Sequence, residues 1–169
     1  MAVDIFLKLG DIKGESTDDK HKNEIEVLSF SWGIANLSRQ SSPGHLSPAR
    51  KASLQDFSIV KRVDSASPQL FVRSCDGSVF PELNFTVRKA GEQQLDYYKV
   101  TLRDCLISSV APGGSAGGGQ DPVEQVSFSF AAAEISAATP SGQFTSATIC
   151  GGSFEQAPPP VIIEAVKKQ

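Results

Sequence analysis

The sequence is poor in the residues that build most reactive centres. It has two histidines, three cysteines, one methionine, one tryptophan and two tyrosines among 169 residues. Cys75, Cys105 and Cys150 cannot all pair within one chain, and none belongs to a C-x-x-C pair. They are expected to be reduced structural thiols. His21 and His45 lie far from all three, so the local ligand spacing of a zinc site is missing and neither a metal nor a cofactor is expected. No apolar run approaches the roughly 18 residues of a membrane span. The first residues, MAVDIFLKLGDIKGE, have no basic start, no continuous apolar segment and no A-x-A-like cleavage site. The expectation is a chain folded in the cytoplasm, outside any membrane, which can leave the cell only by a route that ignores signal peptides. A net charge of −3 and a pI near 5.4 argue against a nucleic-acid partner, whose phosphates call for a basic face.

What is present is an ordinary globular composition, 40% hydrophobic and 21% charged. At this length one core buries roughly two-thirds of the unfolded surface without a disulfide or metal. A single domain over residues 1–169 is expected, with 38–54 as an extended loop and 156–169 as a C-terminal tail of little pattern.

Period-2 alternation dominates. Val3, Ile5, Leu7 and Leu9 alternate with Asp4, Phe6 and Lys8 and predict a half-buried strand ending at Gly10. The charged stretch DIKGESTDDKHKN predicts a loop. In EIEVLSFSWGIAN the apolar parity switches between Val27 and Leu28, which predicts a bulge or a strand that crosses between sheets. Leu28, Phe30 and Trp32 then point to the core, and Ser29, Ser31 and Gly33 away from it. SRQSSPGHLSPAR predicts a long surface loop, and LQDFSIVKRV a strand with Phe57, Ile59 and Val63 on one face. SASPQLFVRSCDG predicts the one helix, with Ser67 as its cap, Pro68 at its first position, Gly77 as its stop, and Leu70, Phe71, Ser74 and Cys75 as a buried stripe. Three long strands follow. Phe85 and Val87 lie inward in the first, the alternation of the second slips at Asp104, and a Gly-rich hairpin loop joins the second to the third. SGQFTSATICGGSFEQ reads as a strand or two, with a proline break before VIIEAV. Long strands with one helix predict a Greek-key sandwich or a barrel.

Motifs for catalysis are weak. Gly113 to Gly117 match G-x-S-x-G, but that motif needs a strand, a strained turn and a helix to aim its serine. Here Ser115 lies among glycines with another strand to follow. Asp18-Asp19 and Glu24/Glu26 read as a solvated loop and a solvated strand face. Arg88-Lys89 with Lys61-Arg62 read as exposed or interface charge. An enzyme is therefore not expected; a lectin-like β-sandwich is the alternative to an assembly protein, and a hydrolase a distant third.

Several segments together resemble the Hcp family, the haemolysin-coregulated proteins that build type VI secretion tail tubes. They are MAVDIFLKLGDIKGES (1–16), EIEVLSFSWG (24–33) with His21 before it, DSASPQL (64–70), LNFTVRKAG (83–91), and YYKVTLRDCLISSV (97–110) followed by the Gly-rich loop and PVEQVSFSF. The departure is near the end, where Gly152-Ser153-Phe154 stand in place of the family's Gly-Trp.

The resemblance implies a mainly β fold, a two-sheet β-barrel with one short flanking α-helix. It also implies hexameric rings that stack into a tube, effector proteins as cargo, sheath and spike proteins as partners, and secretion through the apparatus. On that footing Ser29, Ser31 and Gly33 are candidates for the lumen, and Ser42, Pro43, Gly44, His45 and Leu46 for contact between stacked rings. Leu28, Phe30, Trp32, Phe85 and Val87 are the candidate core.

Overall fold

The computed structural model describes residues 3–36, 39–42, 45–47, 52–89, 95–115, 121–139, 143–150 and 163–165. Its elements are β1 (Val3–Leu9), β2 (Ile25–Glu26), β3 (Ser29–Ser31), β4 (Ile34–Asn36), β5 (Arg39–Ser42), β6 (His45–Ser47), β7 (Ala52–Leu54), β8 (Phe57–Arg62), α1 (Ser67–Asp76), β9 (Val79–Lys89), β10 (Leu95–Gly113), β11 (Val123–Ala138), β12 (Phe144–Cys150) and β13 (Ile163–Ala165). The main sheet runs β13-β12-β11-β10-β9-β1-β2, every pair antiparallel, and β8 pairs with both β11 and β3.

The expected parity switch is where this sheet curls back on itself. The Val27 amide donates to the Ile5 carbonyl of β1 at 2.9 Å, and the next amide, Leu28, donates to the Val60 carbonyl of β8 at 2.8 Å. One peptide link thus hands the chain from one half of the barrel to the other, and the ladder closes through β1, β9, β10, β11, β8 and back.

The enclosed core contains Leu7, Leu9, Ile25, Phe57, Ile59, Phe85, Val87, Val126 and Phe128. Phe30 and Trp32 are half-buried against it, with Phe30 4.7 Å from Phe85 and Trp32 5.9 Å from Phe57, centroid to centroid. Leu28 departs from expectation and is 48% exposed. It sits at the handover itself, before β3 begins, so its side chain falls on the barrel rim. The slip at Asp104 is present. Its φ of +48° is a left-handed conformation, and Leu102 and Cys105, of opposite parity, are both buried on either side of it.

Three charged residues read as solvated or exposed in the sequence, Asp18, Arg88 and Lys61, are instead fixed in ion pairs. Arg88 is 2% exposed and grips Asp18, with its guanidinium 5.0 Å above the Phe6 ring. His21 stacks on that same ring at 4.4 Å, its Nδ1 2.8 Å from Glu24 Oε2. The charged loop therefore folds over the outer face of β1 as a lid on Phe6, and so Phe6 is buried on the polar parity. Gly14 makes the lid possible. A Cβ there would meet the Glu24 carbonyl oxygen at 2.4 Å. The third, Lys61, lies opposite Glu124, and the two occupy core parity on β8 and β11. Lys61 Nζ donates to Glu124 Oε1 at 2.7 Å and to Asp64 Oδ1 at 2.6 Å. Val63, expected on that face, lies past the strand end and is exposed.

The helix is where the sequence placed it, with Gly77 at φ +67° as its stop. Its start differs. Ala66 holds the cap position with no side-chain bond, and Pro68 is one place further in. The Ser67 hydroxyl turns inward and donates to Glu124 at 2.7 Å, since a buried carboxylate gains more from a donor than a solvated helix end does. Of the expected stripe, Leu70 is buried, Ser74 half-buried, and Phe71 and Cys75 exposed. The helix meets the barrel, at β10, over a narrow strip.

The 38–54 segment, expected as a loop, carries two tiers of antiparallel pairing. β4 pairs with β7 and β5 with β6, Arg39 opposite Ser47 and Ser42 opposite His45. Main-chain pairing in such a ribbon needs no apolar alternation, so composition alone did not reveal it. Pro43 and Gly44 lie outside the described residues. At the other end β12 and β13 extend the sheet past β11; Gly152, Ser153 and Phe154 lie outside the described residues.

Candidate assembly interface

The register of β3, β8, β11 and β10 sorts side chains into rows. Phe30, Ile59, Val126 and Val110 lie opposite one another across the four strands, facing the core. The next row is Ser31, Ser58, Ser127 and Ser109. These serines have the opposite parity and point away from the core, and the Ser58 and Ser127 hydroxyls lie 2.8 Å apart. The row beyond, Ser29, Val60, Gln125 and Ala111, is also uncharged. A bulge at Ser108 brings Ser109 opposite Ser127. Without that extra residue β10 would present its apolar side.

Of the three candidate lumen residues, Ser29 and Ser31 are exposed on this face, and Gly33 is half-buried beside the Gln55 side chain. Ser58, Ser109 and Ser127 were missed. Each sits in a strand whose alternation was recognised, but which strands lie side by side, and in what register, is not written in any one segment. Both edges of this face are open. Among the described residues β3 has β8 as its single partner, and the β9 ladder along β10 ends at Leu106, leaving Ile107 to Gly113 paired on the β11 side alone.

A second feature lies at the handover. Two hollows of about 310 and 350 Å³ adjoin there and share Glu26 and Leu28 as common walls. Asp4, Asp18 and Arg88 line the first; Glu15, Arg62, Asp64 and Asp121 line the second. The Arg88 guanidinium beside Asp18 holds that carboxyl well below the usual carboxylate range, so Asp18 is charged throughout the physiological range. Leu28, expected in the core, is the exposed apolar centre of this seam.

The geometry offers little to a reaction. Ser115 is exposed beyond β10, and the next element is β11 rather than the helix that a nucleophile elbow requires. Among the described residues no cluster of three or more His, Cys, Asp or Glu side chains could hold a metal ion. Also among them, no helix is long and apolar enough to cross a membrane. Cys105 is buried, and burial pushes its thiol up to about 11.

Comparison with known proteins agrees with this construction. Residues 6–136 match the family model described as "Type VI secretion system effector, Hcp". Protein hcp1 of Pseudomonas aeruginosa is 42% identical over 137 residues, which cover 80% of this chain and 83% of that one. The crystal structure of Hcp1 from Salmonella typhimurium superposes with a TM-score of 0.74 at 36% identity, over 89% of this chain and 95% of that one. A type VI secretion system effector from Yersinia pestis gives 0.73 at 31% identity, over 87% and 99%. Curled barrel, flanking helix, matched family model and close relatives lead to one statement: this chain belongs to the Hcp family, the structural tube proteins of type VI secretion systems.

Proposed function

We propose that six copies of the chain form a ring whose lumen is lined by the serine face, that rings stack into the tube of a type VI apparatus, and that effector proteins travel inside it. The observation that carries this reading is the uncharged face across β3, β8, β11 and β10, with an open strand at each edge. Pairing of β3 in one copy with the free stretch of β10 in the next continues the sheet from copy to copy. A rotation that closes makes a ring from two different edges of one chain. Side chains that are small and uncharged leave the channel wide and indifferent to the charge of its cargo. The tube assembles in the bacterial cytoplasm, meets sheath and spike proteins there, and leaves through the apparatus without a signal peptide. The ribbon of β4 to β7 makes contact between rings, with Ser42, Pro43, Gly44, His45 and Leu46 as the candidate contact residues.

The test is microscopy of the purified chain together with co-purification of effectors. Uniform rings with a central hole support the reading; compact monomers overturn it. Ser31→Gln is expected to leave the rings intact and weaken effector co-purification, and unchanged co-purification counts against the lumen assignment. Deleting residues 38–54 is expected to abolish tubes and spare rings.

A further inference from the structure

His21 stands between two carboxylates, one at each ring nitrogen. Nδ1 is 2.8 Å from Glu24 Oε2, within the loop that joins β1 to β2. Nε2 is 3.7 Å from Oδ1 of Asp96, near the start of β10. That second gap is too long for a hydrogen bond. Both of its atoms are buried, and neither has a hydrogen-bond partner among the described residues. A buried polar atom left unpaired is costly, so two of them facing each other mark a contact that one further proton completes.

A neutral imidazole cannot satisfy both neighbours. It carries one N–H, and whichever nitrogen holds it, the other turns a lone pair toward a carboxylate oxygen. The imidazolium donates from both nitrogens and removes the conflict. The rest of the surroundings suit the added charge. The Asp18 carboxylate accepts from the His21 amide at 3.1 Å, and Lys99 Nζ lies 3.1 Å from Asp96 Oδ2. Phe6 of β1 carries the His21 ring at 4.4 Å and the Arg88 guanidinium of β9 at 5.0 Å, with Asp4 3.6 Å from that guanidinium. Four carboxylates (Asp4, Asp18, Glu24, Asp96) against two cations (Arg88, Lys99) leave the neighbourhood net negative, which an imidazolium offsets.

We propose that His21 is a proton-operated latch: a second proton on the ring closes the gap to Asp96 and ties the lid to β10, and its loss frees that corner of the lid. The added stability is present where the ring is protonated and is lost as pH rises through its titration. The lid has another tie that mild acid leaves alone. Arg88 holds the Asp18 carboxyl well below the usual range, so that pair stays charged across the interval in which histidine side chains change charge. The latch therefore tightens or slackens the lid rather than making or breaking it. Thr17 and Asp18, on the lid, wall the hollow that Glu26 and Leu28 also line, so the shape of that hollow follows the state of the latch.

The test is hydrogen exchange on the full chain between about pH 8 and about pH 5.5, the span over which histidine changes charge, with each rate corrected for the intrinsic effect of pH. The amides of Gly14 and Asn23 report on the lid, since they donate within it to the Asn23 and Ser16 carbonyls, each at 2.9 Å. Their protection is expected to rise about tenfold in acid, the size of one hydrogen bond to a charged group. His21→Gln, which gains no charge, is expected to abolish the rise, and His45→Gln, at the other histidine of the chain, to keep it. Asp96→Asn is expected to abolish it from the opposite side, because its amide donates to a neutral Nε2 and protection is already high at the alkaline end. No rise in the parent overturns the proposal, as does a rise that survives His21→Gln or is lost in His45→Gln. A rise that survives Asp96→Asn also overturns it, by moving the proton's effect away from the gap. If His21→Gln opens the lid at every pH, Asp96→Asn still decides, since it keeps the imidazole in place.

Discussion

The Arg88 guanidinium meets the Asp18 carboxylate through both of its terminal nitrogens, Nη1 at 2.9 Å from Oδ1 and Nη2 on Oδ2. The pair ties the loop between β1 and β2 to the middle of the sheet, over the ring of Phe6. Asp4 Oδ2 lies 3.6 Å from the same guanidinium.

Removing the cation leaves two carboxylates beside an apolar ring. Arg88→Met is expected to destabilise the subunit by about 3 kcal/mol, the usual size for breaking a buried pair from one side. Denaturant unfolding, read by tryptophan fluorescence, measures it.

The same pair makes stability depend on acid. Asp18 is held below its ordinary range by the Arg88 hydrogen bonds, aided by the backbone amides of Lys20 and His21. A depressed folded-state value contributes stability that is complete above the unfolded carboxylate value of about 4 and is lost as pH falls below it. Asp18→Asn should therefore melt below the parent at neutral pH, and the gap should close as pH drops into the acid range. A gap that stays constant with pH would refute this assignment.

Lys61 and Glu124 lie opposite each other on β8 and β11 with no solvent exposure, and Ser67 of α1 donates to the same carboxylate. Lys61→Met alone is expected to cost about 3–5 kcal/mol, because it leaves the buried Glu124 carboxylate without a cation, and Glu124→Leu alone is expected to cost less, because Lys61 keeps its ion pair with Asp64. The double substitution should recover most of the loss, which a double-mutant cycle would show directly.

Gly14 faces the backbone of Glu24 and Ile25 at distances no Cβ tolerates. Gly14→Ala is expected to cost about 1–3 kcal/mol through forced displacement of the loop. Proteolysis should detect it as faster cleavage between Gly10 and Asn23, with the rest of the barrel intact.

Thiol labelling separates two cysteines. Cys75 is exposed on α1 and should react in the folded chain; Cys105 is buried with its thiol pushed up to about 11 and should react only after unfolding. Reaction of Cys105 in native protein would contradict the core packing around β10.

Much of the fold was legible because it is written in local alternation. The strands containing Leu7, Phe85 and Val126, the helix stop at Gly77, the slip at Asp104 and the crossing at Val27–Leu28 each follow from a few neighbouring residues. What stayed hidden depends on residues distant in sequence. Lys61 looks like a surface lysine until Glu124 is placed across from it, and Asp18 looks solvated until Arg88 arrives from β9. Ser31 could be proposed as an outward residue from its own strand, whereas Ser58, Ser127 and Ser109 become a surface only when four strands share a register. Leu28 misled because parity was counted through a residue that belongs to neither ladder.

The pairing of β1 sets an order for biosynthesis. Val3 lies opposite Lys89 and Leu9 opposite Leu83, while β2, the nearer neighbour in sequence, offers β1 two residues. During synthesis β1 must therefore wait, with one long side unpaired, until β9 has been made. Over that interval the lid on Phe6 also lacks its anchor, because Arg88 is on β9. The chain is most vulnerable to misassembly while it is half-made, and helpers that bind apolar nascent segments would find Val3 to Leu9 accessible for longer than any other strand of the barrel wall.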